Sequence, residues 1–332
     1  MSSEAASGAP TPAGTLAVSS ARRFARAPVR RLAGSLALTL ITVVLVGPFV
    51  WTVTMSFRRS HEIFANPYGL PIPFRLDNYA YALLPTKPEL IDLARRAGIA
   101  QGAVDAWLLS IGLENGGFGF LTNILNSALV VAPALAIVTA ISTMAAYVFA
   151  RGRYAFPGRG LLFVFIFLSI FFPPQITVLS LFQLAVGYGL YNTLWALILV
   201  YPANALAFNT YILRAFFAQI PTEIEDAARI DGCGDWQMFW RVMFPIARPA
   251  VATTLIFNFN GFWNEFLYAL TLVTKPELAT VPLASYRWMG EFFLDVGGLA
   301  AGLVISITPI AVLYLLLSEQ FMRGMSAGAV KG

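Results

Sequence analysis

Between Pro221 and Pro249 the chain reads PTEIEDAARIDGCGDWQMFWRVMFPIARP, which gathers Glu223, Glu225, Asp226 and Asp231 into one short stretch. Acids spaced this way do electrostatic work at a helix start, where the backbone dipole favours negative charge. A second group lies further on, where Asn258, Asn260, Asn264, Glu265 and Tyr268 interrupt an otherwise apolar run. A carboxylate at membrane depth costs several kcal/mol unless it is paired or wetted. A third feature is Pro173-Pro174, two consecutive residues without a backbone donor, which free the carbonyls of Ser169 and Ile170. No G-x-x-x-x-G-K-[ST] phosphate loop occurs, and one His with one Cys makes neither a disulfide nor a structural metal site. The expectation is a chain with no catalytic residue, no metal and no cofactor of its own.

The elements that must hold the first group read as two short helices joined by a tight turn. Pro221 suits a first helical turn. Ile224, Ala227 and Ala228 form a narrow apolar stripe, and Gly232 ends the helix as a residue able to take positive φ. Asp235 can cap the second helix. Trp236, Phe239, Trp240 and Met243 line its greasy face, and Pro245 and Pro249 stop it. Such a unit between apolar segments suits docking into another protein. It equally suits an amphipathic helix lying on the lipid surface.

Of the 332 residues 58% are hydrophobic and only 12% charged, about half the charge of a soluble domain. Mean hydropathy is +0.70, so the class is an all-α polytopic membrane protein. Six segments reach the roughly 20 apolar residues that a span needs: 34–56, 122–150, 160–184, 193–213, 249–273 and 299–320. An even number puts both termini on one side. Fourteen of the 22 Lys and Arg residues fall on the side of the termini, the 151–159 turn and the 214–248 loop. The positive-inside rule then makes that side cytoplasmic. Membrane topology accounts for the net charge of +5 with no nucleic-acid partner.

Residues 1–33 read as a disordered basic tail carrying Arg22, Arg23, Arg26, Arg30 and Arg31. Within the long loop 57–121, residues 85–117 read as an inserted pair of short helices. Leu90, Leu93, Ala94 and Ala97 form one stripe, and Ala103, Trp107, Leu108 and Ile111 the other. Either an interaction element or an ornament fits them. The double proline predicts a kink in the third span that faces other helices or a water-filled path. In the fifth span Gly261, Glu265 and Tyr268 can share one face, either as a polar patch in a pathway or as a hydrogen-bonded interhelical group. Gly298 and Gly302 permit close packing of the sixth span.

The 221–249 stretch resembles the EAA loop of bacterial ABC importer permeases. It carries Asp226-Ala227-Ala228, Gly232 and Val242-Met243-Phe244-Pro245 in the pattern's places. The longer carbohydrate-importer form stands as Pro221, Glu223-Ile224, Asp226-Ala227-Ala228 and Ile230-Asp231-Gly232-Cys233. Asp for Glu at 226, Cys for Ala at 233 and Phe for Leu at 244 depart from it. Ala145 to Arg151, Trp263-Asn264-Glu265-Phe266 and the ending GMSAGAVKG are similar to phrases of the same family, most nearly the second maltose-type permease.

The resemblance covers the chain from about residue 30 to its end, outside the insert. It implies a type I ABC importer permease fold with both termini cytoplasmic, in a bacterial cytoplasmic (inner) membrane. It further implies a carbohydrate importer assembled with a second permease, an ATPase dimer and an extracytoplasmic solute-binding protein. Glu223, Asp226, Ala227, Ala228, Asp231, Gly232 and Pro245 would couple to the ATPase, and Gly328 and Lys331 would reach it from the tail. Pro173, Pro174, Asn264, Glu265 and Tyr268 are the candidate pathway or gating residues. The alternatives are a channel or secondary carrier working without an ATPase, and a scaffold that anchors a soluble enzyme through the loop.

Overall fold

A computed structural model describes residues 14–84, 87–110, 119–291 and 295–329. The chain divides into two units, Met1–Thr54 and Met55–Gly332. The first is occupied by helix α1 (Gly14–Ser56), whose apolar part from Gly34 is long enough to cross a membrane.

The second unit contains no strand among its described residues. Short helices α2 (Ser60–Ala65) and α3 (Asp77–Leu83) come first. Next are α4 (Lys87–Arg96) and α5 (Gln101–Ser110), turned at Gly98 with φ +73°. Leu90, Ala94, Val104 and Leu108 form their small core, whereas Leu93 and Trp107 of the expected stripes are exposed. Ile111 lies outside the described residues.

The frame is α6 (Phe120–Ala150) packed along α9 (Leu194–Phe217). Both are apolar over more than two turns on several faces, as helices surrounded by protein and lipid must be. Val130, Val138, Leu197 and Tyr201 bury their side chains there. The third expected span is two helices, α7 (Arg159–Leu168) and α8 (Pro174–Gly187), meeting at 105°. The expected kink is therefore a full break. A 3₁₀ turn at Ser169–Phe171 uses the Ser169 carbonyl, which accepts the Phe172 N–H at 3.3 Å. Phe172 and Pro173 are then extended, as residues before proline prefer, and Pro174 starts α8 at a position needing no donor.

After α10 (Glu223–Ile230) comes α11 (Asp235–Trp263). Here the expectation that Pro245 and Pro249 stop a short helix is overturned. The helix runs through both prolines into the fifth span, with a π turn at Met238–Met243 immediately before Pro245. In that wider turn the Phe244 N–H reaches back to the Phe239 carbonyl. The register thus shifts just where the ladder loses a donor.

The fifth span breaks in turn at Asn264–Phe266 before α12 (Leu267–Leu272). Helix α13 (Val281–Glu291) and the long α14 (Val296–Ala329) complete the unit. Among the described residues five helices, or six if the bent pair counts as one, are long and apolar enough to span. A Cβ at Gly302 would lie 3.0 Å from the indole of the fully buried Trp288, and one at Gly298 would meet the Asp295 carboxylate first and the same indole at 2.9 Å.

Candidate functional site

The 214–248 loop is built on α10. Thr222 starts it, its carbonyl accepting from the N–H groups of Glu225 (2.9 Å) and Asp226 (3.0 Å), while Pro221 sits one residue outside. Gly232 ends it at φ +83°, with the Gly232 and Cys233 N–H groups returning to the carbonyls of Arg229 and Ala228. A positive-φ glycine closing the last turn in this way is what the sequence calls for. Asp235 does not cap the next helix; Gly234 occupies that place. The Asp235 carboxylate instead accepts from the Tyr154 hydroxyl and the Arg229 guanidinium, both at 3.0 Å.

The helix is inside out. Ile224 and Ala227 of the expected apolar stripe are exposed and Ala228 is half-buried, while Ile230 is 87% exposed. Glu223, Asp226 and Asp231 are exposed on the same short element. Its one buried side chain is the acid Glu225, 5% exposed, which forms an ion pair with the equally buried Arg151 at the end of α6. In α11, Phe239 and Met243 pack inward with Met238 against Tyr147, Leu213 and Phe217, but Trp236 and Trp240 remain exposed. Pro245 is half-buried in the helix that follows.

Several cations meet where α6 ends. Arg159 of α7 donates to the carbonyls of Arg151 (2.5 Å) and Phe149 (3.1 Å), and Arg214 of α9 donates to Phe149 (3.2 Å). The Arg214 guanidinium also lies 4.6 Å from the Phe163 ring centroid. Arginines near a helix C-terminus satisfy its last carbonyls and suit its dipole. The roles of Arg151, Tyr154 and Arg214 went unrecognised in the sequence; the one signal was a charge set directly after an apolar span.

A second polar cluster surrounds the break in the fifth span. Glu265 does not share a continuous helical face with Gly261 and Tyr268. Its two carboxylate oxygens accept the backbone N–H groups of Tyr268 (2.9 Å) and Ala269 (3.2 Å), so it closes the start of α12. The Tyr268 hydroxyl donates to Asn204 Oδ1 of α9 at 2.9 Å and lies 3.4 Å from Thr177 Oγ1 of α8. Asn264 donates to the carbonyl and side-chain oxygen of Asn260, and both amides are exposed. Pro173 and Pro174 are exposed at the 105° break. Gly328 falls within α14, and Lys331 lies outside the described residues. Among the described residues no group of three His, Cys, Asp or Glu could hold a metal.

Residues 139–326, which include α10, Arg151 and the 264–268 break, match the family model described as binding-protein-dependent transport system inner membrane component. Over 318 residues the chain is 34% identical to the diacetylchitobiose uptake system permease protein NgcG of Streptomyces coelicolor, covering 95% of this chain and 92% of that protein. It is 35% identical over 297 residues to the trehalose transport system permease protein SugB of Mycobacterium tuberculosis, covering 89% and 95%. A solved bacterial ABC transporter involved in the import of the acidic polysaccharide alginate has a chain of similar fold, with a TM-score of 0.57 at 20% identity, covering 89% of this chain and 97% of that one. With the matched region running through both polar clusters, this chain belongs to the binding-protein-dependent transport system inner membrane components, the permeases of ABC transporters.

Proposed function

We propose that this permease is one of two in an ATP-driven carbohydrate importer, that it forms half of the translocation path, and that it couples to an ATPase dimer through the 221–249 loop. The observation that carries the reading is the inverted α10. A short helix that buries its acid and exposes Ile224, Ile230 and the neighbouring Trp236 is finished only when another surface covers it. Exposed Glu223, Asp226 and Asp231 ask that surface for cations.

In this reading the termini and the 214–248 loop are cytoplasmic, which the Lys and Arg distribution supports. Residues 1–33 are a tail on a transmembrane domain of 34–332, and 85–117 is an extracytoplasmic insert. Gly328 and Lys331 approach the ATPase from the end of α14. A solute-binding protein delivers the cargo from outside. ATP closes the ATPase dimer, α10 moves with it, and the spans pass from inward- to outward-facing; hydrolysis resets them.

Carbohydrate is supported by the names of the relatives and by the chemistry of the open cluster. Asn204, Asn260 and Asn264 present neutral amides, which suit hydroxyl groups, and both oxygens of Glu265 are already engaged by backbone. A carrier driven by ions would want a relay of free acids in the spans. No ATP-binding motif is present in the chain, so hydrolysis falls to the partner subunits.

The test is to purify the chain from its native membrane in mild detergent and identify what accompanies it. An ATPase and a second permease are expected, with Asp226→Lys releasing the ATPase while the chain stays inserted. A chain that comes out alone across several detergents overturns the reading.

A further inference from the structure

We propose that the buried Arg151–Glu225 pair is the positioning link through which movement of α10 enters the span bundle, an inference that rests on the coupling role of the loop. Among the described residues two ion pairs involve α10. One, Arg229 to Asp235 with Tyr154, is exposed on its acidic side, where water can replace either partner. The other is enclosed: Arg151 and Glu225 are each 5% exposed. A buried pair resists separation, because parting the charges leaves both without water and without a partner. The apolar contacts of α10 are non-directional and can slide. The ion pair fixes Glu225 to one point at the end of α6.

That point is shared. The carbonyls of Phe149 and Arg151 receive Arg159 from α7 and Arg214 from α9, so the last turn of α6 is where three spans are bolted together. A push on α10 delivered through Arg151 therefore reaches α6, α7 and α9 at once. Glu225 and Arg151 act here as positioning residues, through the helices they join.

The test uses the complete complex in lipid nanodiscs, with the native thiol removed by Cys233→Ala and a reporter thiol introduced by Asn264→Cys. The readout is the rate at which a bulky maleimide modifies that thiol, without nucleotide and with ATP trapped by vanadate. Trapping should change the rate about tenfold in the parent, the size of a modest shift between two states. In Glu225→Gln the ATPase stays bound, since the outer face of α10 is untouched, and the change shrinks to less than about twofold. The exchange Arg151→Glu with Glu225→Arg restores most of it. Should a single variant fail to reach the membrane, Arg151→Met with Glu225→Met removes both charges together and is expected to assemble but respond as Glu225→Gln does.

Full nucleotide response in Glu225→Gln, or in the double Met variant, overturns the proposal. So does loss of the ATPase together with the response, because the pair would then build the dock and not transmit from it. A parent complex that carries no ATPase, or whose labelling ignores ATP, defeats the importer reading itself and is recognised before any variant is made.

Discussion

Glu225 and Glu265 are both carboxylates shielded by an apolar chain, yet they are satisfied in opposite ways. Glu225 faces a cation that arrives from another element about seventy residues earlier, at the end of α6. Glu265 is held by the backbone of the very next helix, three and four residues on. The first arrangement joins two parts of the fold and transmits force between them. The second shapes one joint, the start of α12. An acid withdrawn from water, fully as Glu225 or half as Glu265, is thus a link or a local brace according to the origin of its partner.

Deleting one partner separates the two cases. Glu225→Ala leaves Arg151 buried without its counter-charge and should destabilise the purified complex by about 3–5 kcal/mol, read as a fall in the midpoint of thermal unfolding in detergent. A fall no larger than that of Glu265→Ala would erase the distinction. Glu265→Ala removes two acceptors from the first turn of α12 and should cost about 1–2 kcal/mol by the same assay, close to the loss of a helix cap. The smallest effect belongs to Asp235→Asn. Its exposed pairing with Arg229 is worth at most about 1 kcal/mol, and the difference from the parent should vanish in high salt. A salt-independent loss would show that Asp235 is held more like Glu225.

The distinction was only half legible in the sequence. Gly232 announced the end of α10, because a glycine after an acid-headed helical run has a specific backbone to supply. Glu223, Glu225 and Asp226, in contrast, look alike in a first turn. Only the folding of Arg151 against the middle one separates it from its exposed neighbours. Pro173-Pro174 pointed to irregular backbone at the right place, but how far α7 and α8 diverge depends on the packing of α8 against α12. Pro245 and Pro249 misled for a related reason. A proline ends a helix in water, yet a π turn placed just before it and apolar surroundings that reward a continued ladder carry α11 through. The asparagines of the fifth span stood out at once. The partners of Tyr268 on α8 and α9 did not, since Thr177 and Asn204 are ordinary residues until its hydroxyl joins them.

The fully buried indole of Trp288, lying against Gly302 where a Cβ would come within 3.0 Å, works as a feeler gauge between α13 and α14. A side chain at 302 would press on that ring, so the spacing of the two helices along this seam is set by what residue 302 lacks.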